Sequence, residues 1–141
     1  THQVIVFPLF GWFGILLEPS LITNNFFLGW LIANFGVSFT FEICRKLDPE
    51  APKLANTYAH HYGRGKTFFF TFLFMLYTAL GAYVGGFIWY SLPVLLLLFV
   101  ALAIWVKKPQ TYKIPAALSA LNSIIALWAP AIIWSLKRWL P

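Results

Sequence analysis

Charge in this chain is gathered into a few short segments, and that segregation leaves few folds open. Residues 41–67, FEICRKLDPEAPKLANTYAHHYGRGKT, hold all but one of the acidic residues and half of the basic ones, while the stretches on either side are almost pure hydrocarbon. Of the 141 residues, 60% are hydrophobic, 20% aromatic and only 10% charged, with a mean hydropathy of +0.76. A soluble domain carries about a quarter of its residues as charged side chains. The composition therefore implies an integral membrane protein. At about 20 residues per membrane-crossing helix, the length accommodates at most about five or six spans with short loops, hence one domain over 1–141.

The hydrocarbon interior dictates the secondary structure. Backbone polar groups in lipid must be paired internally, which leaves helices or closed barrels. The apolar stretches do not alternate as barrel strands do. The expected fold is all-α, a polytopic transmembrane bundle of about five helices over 4–17, 22–44, 67–90, 94–106 and 115–138. Glu18 and Pro19 stop the first, which is short for a span, and Pro8 is expected near its first turn. Asn24 or Asn25 is placed to cap the second. The 91–93 segment, SLP, is expected to separate the third from the fourth, KKPQTYK separates the fourth from the fifth, and Pro115 suits the first turn of the fifth. Pro130 is expected to kink it.

The net charge of +6 would suggest nucleic acid in a soluble protein, but here positive-inside retention accounts for the basic residues and argues against that partner. Arg45, Lys46, Lys53, Arg64 and Lys66 in one loop and Lys107, Lys108 and Lys113 in another fall on the same side of a five-helix arrangement. That places the N-terminus and loop 45–66 in the cytoplasm and the C-terminus opposite; Lys137 and Arg138 run against the rule. Trp12, Trp89, Tyr90, Trp105, Tyr112 and Trp139 near helix ends suit interfacial aromatic belts. Cys44, the single cysteine, can form no internal disulfide and reads as a small apolar residue. The start at Thr1, without a recognisable leader, reads as a processed or incomplete chain.

One helix departs from the apolar pattern. Asn34, Ser38, Glu42 and Arg45, spaced by four, four and three, share a face of the second helix. Such a seam is expected to line a substrate pocket opening at the cytoplasmic surface, or to make hydrogen bonds between helices, with Glu42 paired to Arg45 or Lys46 one turn on. Arg45 and Lys46, at the end of the seam, suit phosphate or diphosphate oxygens. Tyr58 and His2 could reach the same place. Glu42, Asp48 and Glu50 are hard oxygen donors of the kind Mg²⁺ takes, at spacings that give no clean carboxylate face. His60 and His61, adjacent on a helix, diverge by about 100° and do not share a ligand. Asn122, alone in the fifth helix, reads as a packing contact. Hydrolase, zinc-protease and P-loop signatures do not occur.

The succession of a polar helix, E-x-x-R-K at residues 42–46, a Pro and acid segment, T-Y at 57–58, Gly63, and K-T at 66–67 leading into a Phe-rich helix resembles the second half of the UbiA-type intramembrane prenyltransferase superfamily, in a divergent bacterial branch. That resemblance implies that the chain corresponds to the last five of nine helices, as the C-terminal half of a longer protein. It implies transfer of a prenyl group from its diphosphate to a lipophilic acceptor, with Mg²⁺ bridging carboxylates and diphosphate. Substrate would meet Asn34, Ser38, Glu42, Arg45, Lys46 and Tyr58, and the metal Glu42 and Asp48. Thr57 and Gly63 match a Thr and Gly of the family pattern. Arg45 stands where a metal-binding Asp is expected, and the first aspartate-rich loop has no counterpart. The competing expectation is a non-catalytic transmembrane subunit of a larger complex, respiratory or photosynthetic, holding a quinone, carotenoid or chlorophyll. In either case the partners are membrane lipids and an isoprenoid or quinone-like ligand.

Overall fold

The computed structural model describes residues 3–50 and 58–139; His2, Lys53 and Thr57 lie outside them. The described residues are helical with no strand: α1 (Gln3–Leu17), α2 (Asn25–Arg45), the short α3 (Tyr58–Tyr62), α4 (Arg64–Val84), α5 (Ile88–Lys107) and α6 (Lys113–Trp139). Single 3-10 turns, Pro19–Thr23 and Pro109–Tyr112, join α1 to α2 and α5 to α6. Three helices, α2, α4 and α5, are long and apolar enough to cross a membrane, so the chain is an integral membrane protein. α1, at 15 residues, is too short for the roughly 20 residues a span needs.

Helix ends follow local chemistry. The Asn24 side chain caps α2 by accepting the Phe27 N–H at 3.2 Å, satisfying one of the N–H groups that a helix start leaves open. Pro115 occupies the first turn of α6, which continues through Pro130. The expected break at 91–93 is not there: Pro93 lies inside α5, and the chain reverses at Gly85, Gly86 and Phe87 instead. Gly86 adopts φ +74°, a conformation that costs other residues steric strain. The Phe87 N–H reaches Ala82 O at 2.8 Å and the Gly86 N–H reaches Tyr83 O at 3.0 Å. This is the Schellman closure, which satisfies the last carbonyls of α4. Phe87, fully buried, packs with Ala82 and Ala33, supplying the apolar contact that accompanies such a cap. Pro93 lies inside α5 and leaves the Trp89 carbonyl without its backbone partner one turn back.

Packing closes a ring of four helices. α2 packs most extensively on α4 and also on α6, and α5 bridges α4 and α6, while α1 lies outside against α2. Lipid offers no hydrophobic gain for helix association, so close van der Waals contact must supply it. Small residues permit that contact. A Cβ on Gly29 would stand 2.5 Å from the Gly81 carbonyl oxygen, and one on Gly36 would stand 2.6 Å from both Phe74 O and Thr78 N. Since Gly29 meets Gly81 and Gly36 meets Phe74, α2 and α4 run antiparallel. Toward the other end, Ile43, Cys44, Leu47, Met75, Leu95, Leu98, Leu102 and Trp105 form the main core. Trp105 is therefore a core residue, 1% exposed, not a member of an interfacial belt; Trp12, Trp89 and Tyr90 are exposed as such a belt requires.

Candidate functional site

Antiparallel connection brings the two basic loops to one end of the bundle. The Arg64 Nη1 donates to Val106 O at 3.0 Å, tying the start of α4 to the end of α5. Tyr112, in the turn before α6, lies near Asp48 and Glu50, and its pKa is pushed above the ordinary 10.0 by loss of hydration first and then by the charges of those carboxylates. Arg45, Lys46, Arg64 and Lys66 thus sit at the same end as Lys107, Lys108 and Lys113. At the opposite end the α1–α2 turn carries Glu18, and the α4–α5 turn, Gly85 to Phe87, carries no charged residue.

The polar seam of α2 is inward but filled. Asn34 is 1% exposed and its side-chain N–H donates to Trp30 O on its own helix at 2.9 Å. Ser38 is half-buried. Glu42 is 8% exposed, with one carboxylate oxygen 3.0 Å from Arg45 Nη2 and the other 2.7 Å from Lys46 Nζ. Both cations lie on the same helix, so the pairing within one turn is what the seam forms at its mouth. The Arg45 side chain is 60% exposed, and among the described residues Glu42 is the partner of its guanidinium.

Beside the seam runs a groove of about 260 Å³, lined by Phe39 and Ile43 of α2, Tyr58 and Tyr62 of α3, and Thr67, Phe70 and Phe74 of α4. Adjacent residues on a helix diverge by about 100°, which is why Phe39 reaches the groove when Ser38 does not line it. The floor is an aromatic stack: Phe39 and Phe74 lie with centroids 4.4 Å apart and an interplanar angle of 7°. Thr67 turns its hydroxyl to Gly63 O at 2.9 Å, so the wall presents little polarity. Of the six residues expected to bind a ligand, Tyr58 lines this groove. Lys46 joins it indirectly, its Nζ lying 5.6 Å from the Tyr58 ring centroid, a cation–π distance. Sequence reasoning missed Phe39, Ile43, Tyr62, Phe70 and Phe74. The one signal available was their helical spacing, 39 to 43 and 67, 70 to 74, which any buried face also shows.

The carboxylates do not assemble a metal centre. Both Glu42 oxygens are taken by cations, and Asp48 Oδ1 accepts the Glu50 N–H at 2.9 Å. Among the described residues no three His, Cys, Asp or Glu side chains converge as metal ligands. The donor set near the groove is cationic and suits an anion. The site and fold define an all-helical integral membrane protein with an apolar groove beside a basic end. Comparison with family models, with curated proteins and with solved structures gave no match.

Proposed function

We propose that the protein binds an anionic amphiphile of the isoprenoid diphosphate type, with its chain in the aromatic groove and its head on Arg45 and Lys46. The observation that carries this reading is Tyr58, which lines the groove on one side and meets the Lys46 ammonium on the other. Aromatic and aliphatic walls suit a hydrocarbon chain, and the exposed Arg45 guanidinium suits a phosphate oxygen pair. The resemblance to UbiA-type prenyltransferases adds the diphosphate to this picture. Prenyl transfer through bound Mg²⁺ is left out, because Glu42 and Asp48 are engaged elsewhere and do not fit that ion. By the positive-inside rule the basic end faces the cytoplasm and the far end of α6 the opposite side.

A second reading draws on α1. Trp12, Phe13, Leu16 and Leu17 are exposed on this helix of 15 residues, a surface that a neighbouring subunit would cover in a larger complex. The two readings separate in one experiment. Purified protein in dodecyl maltoside micelles is equilibrated with radiolabelled farnesyl diphosphate and retained ligand is counted. Binding is expected to weaken at least about 10-fold in Arg45→Ala, the loss of a charge-assisted hydrogen bond, and by a similar factor in Phe74→Ala. Binding indifferent to both substitutions would remove the groove from the reading and leave the subunit.

A further inference from the structure

The basic end holds a second cavity, of about 180 Å³, that shares no lining residue with the aromatic groove. Its wall takes Pro49 from the loop after α2, His60 from α3, Arg64 from the first turn of α4, and Trp105 and Pro109 from the end of α5 and the turn beyond; the rest is aliphatic. The helix α3 divides the two spaces. Tyr58 and Tyr62 line the groove, and His60, two residues from each, is turned about 200° away from them. Pockets that hold drug-sized molecules run to about 300–1,000 Å³, so this smaller one suits a small ion or a single headgroup.

The polar side chains of this wall are donors. Arg64 and Trp105 donate only, and His60 donates through one ring nitrogen or through both. Among the described residues no carboxylate lines the cavity. Trp105 is 1% exposed, and its indole N–H finds no acceptor among the described residues, an unpaired donor that is costly in a dry interior. The bond from Arg64 to Val106 O fixes the side chain while using one of the five N–H groups of a guanidinium. Gly63, at the cap position of α4, offers no side chain to its first N–H groups, and the start of a helix favours negative charge. Sequence neighbours of the two prolines carry opposite signs, Lys108 beside Pro109 and Asp48 and Glu50 around Pro49, so the lining itself decides what enters. We propose that this cavity binds a phosphate group, held by Arg64 and His60, with an oxygen seated against Trp105 as the acceptor its indole lacks. Such a group comes from a phospholipid headgroup at the membrane surface or from free phosphate in solution. The site uses neither Arg45 nor Lys46 and stands apart from the reading of the groove.

The test is NMR of the full chain in dodecyl maltoside micelles with isotope-labelled tryptophan, following the indole N–H signals while inorganic phosphate, or separately dioctanoyl phosphatidic acid, is added. Trp105→Phe assigns the Trp105 signal by removing it. That signal is expected to shift saturably. Arg64→Gln is expected to raise the half-saturating concentration about 10-fold, the loss of a charge-assisted hydrogen bond. His60→Gln, which leaves the tie between Arg64 and Val106 in place, is expected to raise it about 3-fold. Arg45→Ala, at the mouth of the groove, should leave the titration unchanged. Phosphatidic acid effective at less than a tenth of the inorganic phosphate concentration assigns the site to a lipid headgroup, and a smaller preference assigns it to free phosphate. A folded wild type whose Trp105 signal ignores both probes overturns the proposal. So does a shift undiminished in both Arg64→Gln and His60→Gln, or one abolished by Arg45→Ala.

Discussion

The two ends of the bundle are held by different physics. At the α4–α5 turn, glycines let two helix backbones approach until no side chain fits between them, and Gly86 takes a backbone conformation that other residues avoid. At the basic end, long charged side chains make the ties: Arg64 reaches a carbonyl of α5, and Glu42 is shared by two cations. Shape complementarity tolerates almost no change in volume. Exposed charge tolerates a good deal, because water screens it and long side chains re-aim. The first end therefore suits a structural role, and the second can exchange its partners for a ligand.

The largest effect expected is at Gly29. Gly29→Ala drives a methyl into backbone atoms of Gly81 and Gly85, which cannot swing away as a side chain would. Overpacking costs about 1–3 kcal/mol, and a clash with backbone belongs at the upper end, about 3 kcal/mol. Thermal unfolding in micelles followed by circular dichroism measures it. A variant as stable as the wild type would break the contrast between the two ends.

Gly86→Ala sharpens the same comparison, for here a Cβ would meet open space and only the backbone conformation resists. The expected loss is about 1 kcal/mol, the strain of a left-handed residue. The same unfolding experiment should rank it below Gly29→Ala. The reverse order would mean that the turn, not the close approach, holds this end together.

Glu42→Gln probes the charged end. An ion pair with one partner well exposed contributes about 0.5–1 kcal/mol, so stability should fall by no more than that. Farnesyl diphosphate binding should at the same time tighten by roughly 3-fold, since Arg45 and Lys46 are released from a competing carboxylate. A metal-ligand role for Glu42 predicts the opposite, a loss of binding, and the two outcomes differ in sign.

The smallest effect is a titration. Tyr112 is held neutral to higher pH than usual, by loss of hydration and by Asp48 and Glu50. Asp48→Asn removes the second of these causes and should bring the Tyr112 midpoint down, as read by ultraviolet difference absorbance against Tyr112→Phe. By linkage, a folded-state pKa raised above the unfolded value gives stability that is full below about pH 10 and is lost as pH rises through the folded pKa. The stability lost to Tyr112 ionisation at alkaline pH should accordingly be smaller in Asp48→Asn than in the wild type.

What could be read from the residues alone was whatever depends on composition and on neighbours along the chain. The membrane class, the helical state, the Asn24 cap of α2, the pairing of Glu42 with Arg45 and Lys46 and the gathering of cations into two loops all follow from local chemistry and the exclusion of charge from hydrocarbon. The turn at Gly85–Phe87 was hidden because a proline in the first turns of a helix resembles a breaker, and because the backbone bonds that close α4 leave no mark beyond two glycines. The placement of Trp105 in the core and the selection of Phe39 over Ser38 for the groove were decided by which face of α2 meets α4 and which meets α6. That choice belongs to packing between helices distant in sequence, where close approach at Gly29, Gly36 and Gly81 sets the rotation of each helix, and no local pattern records it.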